Sequence, residues 1–219
     1  MRKFLLVVAG IVAFIVIAAF ALSMMARPLP SALVLDQTCQ APCWLGITPG
    51  VSTPWGVTEQ LLEADFVDAP TIEKHERGPL EGLITWRFKR PAGDLAGFAY
   101  FDGETLSYLR ILTLGAISLG EALHKYGSPD AFWFEQRRRP TEAWTQVNII
   151  YPALGCSLEV RFDYTGEPMP GSVTLSEDTP IRAVVYFNPS AQPAEFSIPE
   201  HQLHHWAGLG PISLPSPAE

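Results

Sequence analysis

The side chains best suited to metal chemistry lie in a histidine-rich segment near the C-terminus. His201, His204 and His205 lie close together and precede Trp206. On a helix, His201 and His205 stand four residues apart on one face, a spacing at which two imidazoles can share one ion. The segment is rich in proline and has no neighbouring cysteine or aspartate. We therefore expect surface or docking residues here and predict no metal and no cofactor, with His201 and His205 as the candidate ligands.

Known catalytic signatures are missing from the sequence. It contains no G-x-S-x-G, no H-E-x-x-H, no phosphate-binding loop and no G-x-G-x-x-G pattern. Serine, histidine and aspartate are present, but no spacing brings them together. The sequence therefore predicts no catalytic residues and a protein that is not an enzyme, with an active site of unrecognised type as the alternative.

The N-terminus carries an apolar segment with unequal flanking charge. Arg2 and Lys3 precede an uncharged run over residues 4–26, and Arg27 follows it. A helix of that length spans roughly 34 Å, which is enough to cross a hydrocarbon core. The positive-inside rule then leaves the rest of the chain outside the cytoplasm. We predict a single-pass anchor in the cell membrane, with a signal peptide cleaved at the A-x-A site of residues 19–21 as the alternative.

The charge of the remaining chain excludes several partners. The whole chain has a formal charge of −8 from 15 basic and 23 acidic residues; without Arg2, Lys3 and Arg27 it keeps 12 basic residues and a charge of −11. A nucleic-acid-binding face needs a basic footprint. We therefore expect neither a nucleic acid nor an anionic lipid surface as the partner of this part.

Three cysteines in an exported chain fit one disulfide and one thiol. Cys39 and Cys43 flank a turn-like Gln-Ala-Pro and are close enough in sequence to bridge locally. Cys156 alternates in phase with Leu158 and Val160, so its side chain should face the core. We predict a structural disulfide between Cys39 and Cys43, with a Cys43–Cys156 or Cys39–Cys156 bridge as the alternative.

Two helices are predicted, each after a G-x-x-[ST] pattern. These patterns begin at Gly50 and Gly115, and their hydroxyl residues Thr53 and Ser118 are candidate N-caps. The second helix has a capping box from Ser118 to Glu121 and is closed by Gly127-Ser-Pro-Asp. Its predicted apolar positions are Leu119, Ala122, Leu123 and Tyr126, and those of the first helix are Val57, Leu61 and Leu62.

Strands with alternating polarity follow each helix. In the first unit they are predicted near residues 71–77, 83–89, 95–101 and 106–112, with a hairpin at Asp102-Gly103. In the second unit they are predicted at residues 131–135, 144–151, 156–164 and 181–187, with an insertion over residues 165–180. The Arg137-Arg138-Arg139 run is predicted at a hairpin tip, with contact to an acidic partner or headgroup as the alternative.

These patterns predict an α+β fold: two degenerate helix-plus-antiparallel-meander repeats after an N-terminal transmembrane helix. Chance similarity of two ordinary segments is the alternative to a repeat. The predicted boundaries are residues 1–27 for the anchor, 28–38 for a linker, 39–115 and 116–188 for the two units, and 189–219 for a proline-rich C-terminal segment. In that segment we expect one short helix over residues 199–206 and ten poorly ordered final residues.

The segment from Cys39 to Thr53 carries a C-x3-C-W-x-G-I-x-P-G motif. It resembles a motif in uncharacterised bacterial exported proteins that are anchored by a helix or a lipid. The succession of glycine, hydroxyl cap, helix, glycine-x-proline and strands is also similar to the small lipoprotein of the outer-membrane β-barrel assembly machine and to the β-lactamase inhibitor proteins. This resemblance implies helices packed on antiparallel strands and contact with another protein, without catalysis.

Most of the aromatic residues are predicted to pack in the core, and any left on the outer sheet face would be candidates for partner contact. Taken together, the sequence predicts a membrane-tethered extracytoplasmic protein-interaction module that contacts the membrane through residues 4–26. The alternative is a ligand- or metal-binding ectodomain.

Overall fold

The computed structural model describes residues 39–76, 78, 81–89, 96–113, 115–139, 142–164, 171–190 and 198–214. The predicted anchor at residues 4–26 and the predicted linker at residues 28–38 lie outside the described residues. Within the described part of the chain, no helix combines the length and the apolar character needed to span a membrane.

The described residues form an α+β fold, as predicted. The helices are α1 (Pro54–Glu63) and α2 (Leu119–Tyr126). The strands are β1 (Glu73–Glu76), β2 (Glu81–Trp86), β3 (Gly97–Asp102), β4 (Thr105–Leu112), β5 (Ala131–Arg139), β6 (Glu142–Tyr151), β7 (Cys156–Tyr164), β8 (Ser172–Leu175), β9 (Ala183–Phe187), β10 (His204–His205) and β11 (Gly210–Ser213).

Nine of these strands form one antiparallel sheet with the order β1-β2-β3-β4-β9-β7-β6-β5-β10. Strands β4 and β9 meet in its middle, where Tyr108 pairs with Phe187 and Leu112 with Ala183. On one side of this junction lie the strands that follow α1, and on the other side lie those that follow α2. Strand β8 falls in the predicted insertion and pairs with β11 in a separate two-stranded sheet.

Both helices pack on the same face of the large sheet, which we call the inner face. Val57 and Leu61 of α1 and Leu119 and Ala122 of α2 are fully buried in one apolar cluster. The sheet contributes the residues of one alternation phase to this cluster, among them Ala99, Phe101, Leu109, Ile111, Val147, Ile149, Leu158, Val160, Val184 and Tyr186. The period-2 pattern of the strands therefore places one set of side chains under the helices.

The helix caps confirm the predicted starts. The Ser118 hydroxyl accepts a hydrogen bond from the Glu121 amide at 3.2 Å, and the Glu121 carboxylate accepts one from the Ser118 amide at 2.8 Å. The Thr53 hydroxyl accepts from the Gly56 amide at 3.3 Å. The prediction for Leu62 is wrong, because the core contacts α1 through Val57 and Leu61 and leaves Leu62 57% exposed.

The segment from Cys39 to Thr53, which carries the C-x3-C-W-x-G-I-x-P-G motif, contacts strands β2 and β4. Trp44 is fully buried and stacks on Trp86 with ring centroids 6.1 Å apart. The Gly50 amide donates to the Leu106 carbonyl at 2.7 Å. Gly50 has φ +82°, and a Cβ atom there would lie 2.3 Å from the Asn188 side-chain nitrogen. The positive φ therefore favours glycine at this position, and a Cβ atom there would also require the Asn188 side chain to move.

Several predicted bounds in the second half change. Strand β5 continues to Arg139, so the Arg137–Arg139 run forms the end of a strand rather than a hairpin tip, because its backbone pairs with the start of β6. The predicted helix over residues 199–206 is wrong: a 3-10 turn covers Glu200–Gln202 and the chain then extends into β10, which pairs with β5. The prediction of poor order is wrong for residues 210–213, which form β11.

Candidate functional site

The face of the sheet opposite the helices, which we call the outer face, carries a cavity of about 390 Å³. The residues that line it come from β3, β4, β5, β6, β7 and β9 and share the alternation phase that points away from the helices. They are Phe98, Tyr108, Arg110, Trp133, Glu135, Trp144, Gln146, Asn148, Glu159, Arg161, Arg182 and Val185. The volume is within the range of small-ligand pockets, roughly 300–1,000 Å³.

Aromatic rings form part of this surface, which corrects the prediction that most aromatics pack in the inner core. Trp86 and Phe101 are buried there as predicted. Phe98, Tyr100 and Trp144 instead lie half-buried on the outer face, where the Tyr100 and Tyr108 rings stack at 5.3 Å. Each of these residues occupies the strand phase that the helices leave uncovered.

Two further tryptophans also depart from the expected inner packing. Trp133 is buried, but in a separate outer-face cluster with Ile150, Val185 and Phe187. Trp55 lies on α1 and is 73% exposed. The outer face is therefore the region of the sheet in which aromatic and charged side chains meet.

Charged side chains lie beside these rings. Arg110 forms an ion pair with Glu159, whose side chain is only 9% exposed, and its guanidinium lies 5.6 Å from the Phe98 ring centroid. Arg161 donates to Asp163 at 2.7 Å. The Arg161 guanidinium also lies 4.8 Å from the Trp144 ring centroid, within the range of a cation–π contact.

Two of the charged groups have shifted pKa values. Burial raises the pKa of Glu135, and the nearby Glu159 carboxylate raises it further. Burial also lowers the pKa of Arg182, and the like charges of Arg161 and Arg110 add to that effect, against the opposing charges of Asp163 and Glu159. Both residues are nevertheless exposed by their accessible surface, so the two directions report close neighbouring groups and only partial removal from water.

Hydrogen-bond donors remain unused around the cavity. Trp144 Nε1, Asn148 Nδ2 and Arg110 Nε are buried atoms without a hydrogen-bond partner. Asn148 does accept from Gln146 Nε2 at 2.8 Å through its amide oxygen, which fixes the Asn148 nitrogen as the free end. A buried donor without a partner costs free energy, so these groups are suited to an acceptor supplied by a bound molecule.

The predicted cysteine arrangement agrees with the structure, and His201, His204 and His205 are exposed, as expected for surface residues. Cys39 and Cys43 form a disulfide with Cα atoms 5.6 Å apart. Cys156 is a buried free thiol on the inner face, and burial raises its pKa to about 12. His201 and His205 share no helix, so the i, i+4 geometry assumed for a metal pair is absent. Among the described residues, no group of three or more His, Cys, Asp or Glu side chains could hold a metal ion.

The outer-face cluster was not predicted from the sequence, although β6 and β7 contain a signal for it. Gln146 and Asn148 alternate in phase with Trp144, and Glu159 alternates with Arg161. Polar residues on one phase mark it as the face without helices. Trp144 shares this phase, so its side chain could have been predicted on the outer face with the polar side chains.

Comparison with protein-family models, curated proteins and solved structures found no match to this chain. The arrangement of the outer face itself therefore carries the functional conclusion. It combines half-buried rings, paired and unpaired charges and unused donors, which suit the binding of a molecule with both flat apolar and polar groups.

Proposed function

We propose that this protein is a membrane-tethered extracytoplasmic interaction module without catalytic activity, and that its partner binds the outer face of the sheet. The observation that carries this proposal is the outer-face cavity with its aromatic walls and unused donors. Aromatic and arginine side chains are the types most often found at the energetic centre of protein interfaces. The proposed partner is a protein, and residues 4–26 are the proposed membrane contact.

The proposed tether and topology rest on the charges around residues 4–26, where Arg2 and Lys3 precede the apolar run. Alkaline phosphatase fused after Glu219 should be active, because it folds only outside the cytoplasm. An inactive fusion on a chain that is otherwise intact would contradict this topology. A mature chain that begins near Leu22 would instead indicate cleavage.

We also infer that the chain consists of two related units. Supporting this, a capped helix precedes the strands on each side of the β4–β9 junction, four on the first side and five on the second, and the caps Thr53 and Ser118 lie at the start of each succession. Superposition of an experimental structure of the two halves, strand by strand, tests this relation. If α1 and α2 do not superpose together with their strands, the two units are not related in this way.

Site-specific photo-crosslinking tests where the partner binds. A benzophenone amino acid is introduced at Tyr100 of the outer face in the full-length, membrane-bound chain. Trp55, an exposed aromatic residue on α1, is the matched control position. We expect a single discrete adduct from Tyr100, none from Trp55, and loss of the Tyr100 adduct when Trp144→Ala is added.

The opposite outcomes also have clear meanings. An adduct from Trp55 alone places the partner on the helical layer and contradicts the proposal. The absence of any adduct from Tyr100, with the protein folded and in the membrane, contradicts it as well.

The cavity also favours a second candidate, a domain that binds a small ligand. Its volume of about 390 Å³ is sufficient for a single-ring molecule. In that case no Tyr100 adduct forms, while a small molecule still binds to the outer face.

A further inference from the structure

Three arginines line the outer-face cavity, although the part of the chain after Arg27 carries a formal charge of −11. They are Arg110 on β4, Arg161 on β7 and Arg182 just before β9. The cavity has only two carboxylates in its lining, Glu135 and Glu159. Three guanidinium groups are therefore gathered at one site on a protein whose overall charge is negative.

The three arginines are not equally neutralised. Glu159 pairs with Arg110, and Asp163 pairs with Arg161. The Arg182 side chain makes no hydrogen bond or ion pair with any residue that the structure describes. Its backbone is held on both sides, since its amide donates to the Glu159 carbonyl at 2.7 Å and its carbonyl accepts from the Thr113 amide at 2.9 Å. A fixed backbone thus presents the exposed Arg182 guanidinium, without a carboxylate partner among the described residues, beside two arginines that are already paired.

The unused groups at this site are donors. Trp144 Nε1, Asn148 Nδ2 and Arg110 Nε each have a hydrogen to give and no acceptor. The lining carries three arginines and two carboxylates, and Asp163 beside Arg161 is a third carboxylate, so the formal charges around the cavity balance. Arg110 and Arg161 already have carboxylate partners, so one further carboxylate matches Arg182, whereas a dianion such as hydrogen phosphate brings a second negative charge. The rings of Phe98, Tyr108 and Trp144 favour a flat apolar group beside the anion.

We propose that the outer-face cavity binds a carboxylate attached to a flat apolar group, with Arg182 as the principal contact of the carboxylate. This inference rests on the proposed function, because it names the chemistry of the group that the bound molecule inserts. A planar guanidinium binds a carboxylate through two parallel hydrogen bonds, and a neighbouring ring packs on the apolar part. The same chemistry is offered by an aromatic acid or by the C-terminal aromatic residue of a polypeptide.

Benzoate is the probe, titrated against the full-length protein in lipid nanodiscs by ligand-observed NMR. Benzamide, which has the same shape without the charge, should bind at least about tenfold more weakly, and so should inorganic phosphate. Arg182→Gln should weaken benzoate binding at least about tenfold. Arg87→Gln, which removes an exposed cation outside the cavity lining, should leave the affinity unchanged.

The two sources of the carboxylate are distinguished with a short peptide that ends in phenylalanine and with its C-terminal amide. Binding of the free-acid peptide more tightly than benzoate identifies a polypeptide terminus, and the reverse order identifies a small aromatic acid. Equal binding of benzoate and benzamide, no saturable benzoate binding, or an affinity unaffected by Arg182→Gln would overturn the inference. Thermal unfolding of Arg182→Gln verifies that the variant is folded.

Failure of this inference is separable from failure of the proposed function. If the Tyr100 adduct persists in Arg182→Gln and benzoate does not bind, the proposed carboxylate site is wrong and the proposed protein-binding face stands. If benzoate binds in an Arg182-dependent manner and no Tyr100 adduct forms, the carboxylate site stands and the proposal of a protein partner is wrong.

Discussion

The two faces of the sheet are built from the same strands but meet different requirements. On β7, Leu158 and Val160 lie under the helices with almost no exposure. Glu159 and Arg161, which alternate with them along the strand, line the outer cavity. The inner face is filled by apolar side chains in contact with α1 and α2. The outer face combines an ion pair, cation–π contacts and unused donors.

This difference indicates what each face is for. A close-packed apolar layer contributes to stability through buried area and volume. An unused buried donor costs free energy; Trp86 Nε1 is one on the inner face, and Trp144 Nε1, Asn148 Nδ2 and Arg110 Nε are three around the outer cavity. Truncations on the inner face should therefore lower stability, whereas on the outer face the sign depends on the group removed: loss of a paired charge lowers stability and loss of an unsatisfied polar atom raises it.

The largest contrast is expected in the reactivity of Cys156 on the inner face. Its thiol should not react with iodoacetamide in the native protein and should react fully after unfolding in urea, because burial holds its pKa near 12 and the thiolate is the nucleophile. Mass spectrometry measures the added mass. Equal labelling with and without urea would contradict the packing of this face.

The same pKa shift determines the sign of a pH effect. Above the ordinary cysteine pKa of 9.0, the unfolded chain loses this proton while the folded chain retains it. The Cys156 contribution to the free energy of unfolding therefore decreases as the pH rises above about 9. Cys156→Ala should remove that component of the pH dependence.

Leu158→Ala should cause the largest loss of stability among the substitutions considered. Leu158 has no exposed surface, so truncation removes buried contacts and leaves a cavity. The free energy of unfolding should fall by about 2–5 kcal/mol. Urea titration followed by tryptophan fluorescence measures it, and a loss below about 1 kcal/mol would mean that the helices do not cover this position closely.

Glu159→Gln should have an intermediate effect on the outer face. The substitution leaves the Arg110 guanidinium, 25% exposed, without its carboxylate. We expect a loss of about 1–3 kcal/mol. Asp163→Asn is the matched control: the Asp163 side chain is 62% exposed, and its pair with Arg161 should contribute no more than about 1 kcal/mol. Equal losses in the two variants would contradict the role of burial.

Ser157→Ala should have the smallest effect and the opposite sign. Ser157 precedes Leu158 on β7 and is buried, with a hydroxyl that has no hydrogen-bond partner. Replacing it with a methyl group removes an unsatisfied polar atom, so stability should rise by up to about 1 kcal/mol. A clear loss in the urea titration would indicate that this hydroxyl is bonded in solution.

Local sequence signals predicted much of the fold. The bounds of β7 and the capping box at Ser118 agree with the structure, because strict alternation and a hydroxyl-to-glutamate spacing act within a few residues. The disulfide followed from the short separation of Cys39 and Cys43.

The features that were not predicted depend on distant parts of the chain. Alternation separates two faces but does not say which one receives the helices, so the outer-face position of Trp144 was missed. The pairing of β10 with β5 depends on an open strand edge, which leaves no mark on the sequence around His204.

The junction of β4 and β9 has a further consequence for how the chain folds. The hairpins on either side join strands that are near neighbours in sequence. In contrast, the five-residue ladder from Tyr108–Phe187 to Leu112–Ala183, like the two-residue pairing of β10 with β5 at the sheet edge, joins residues more than 70 positions apart. Contacts of high sequence separation form slowly, because the intervening chain must be ordered first. Zipping of this ladder is therefore the step expected to limit the folding rate, and a newly made chain exposes the edges of both half-sheets until it is complete.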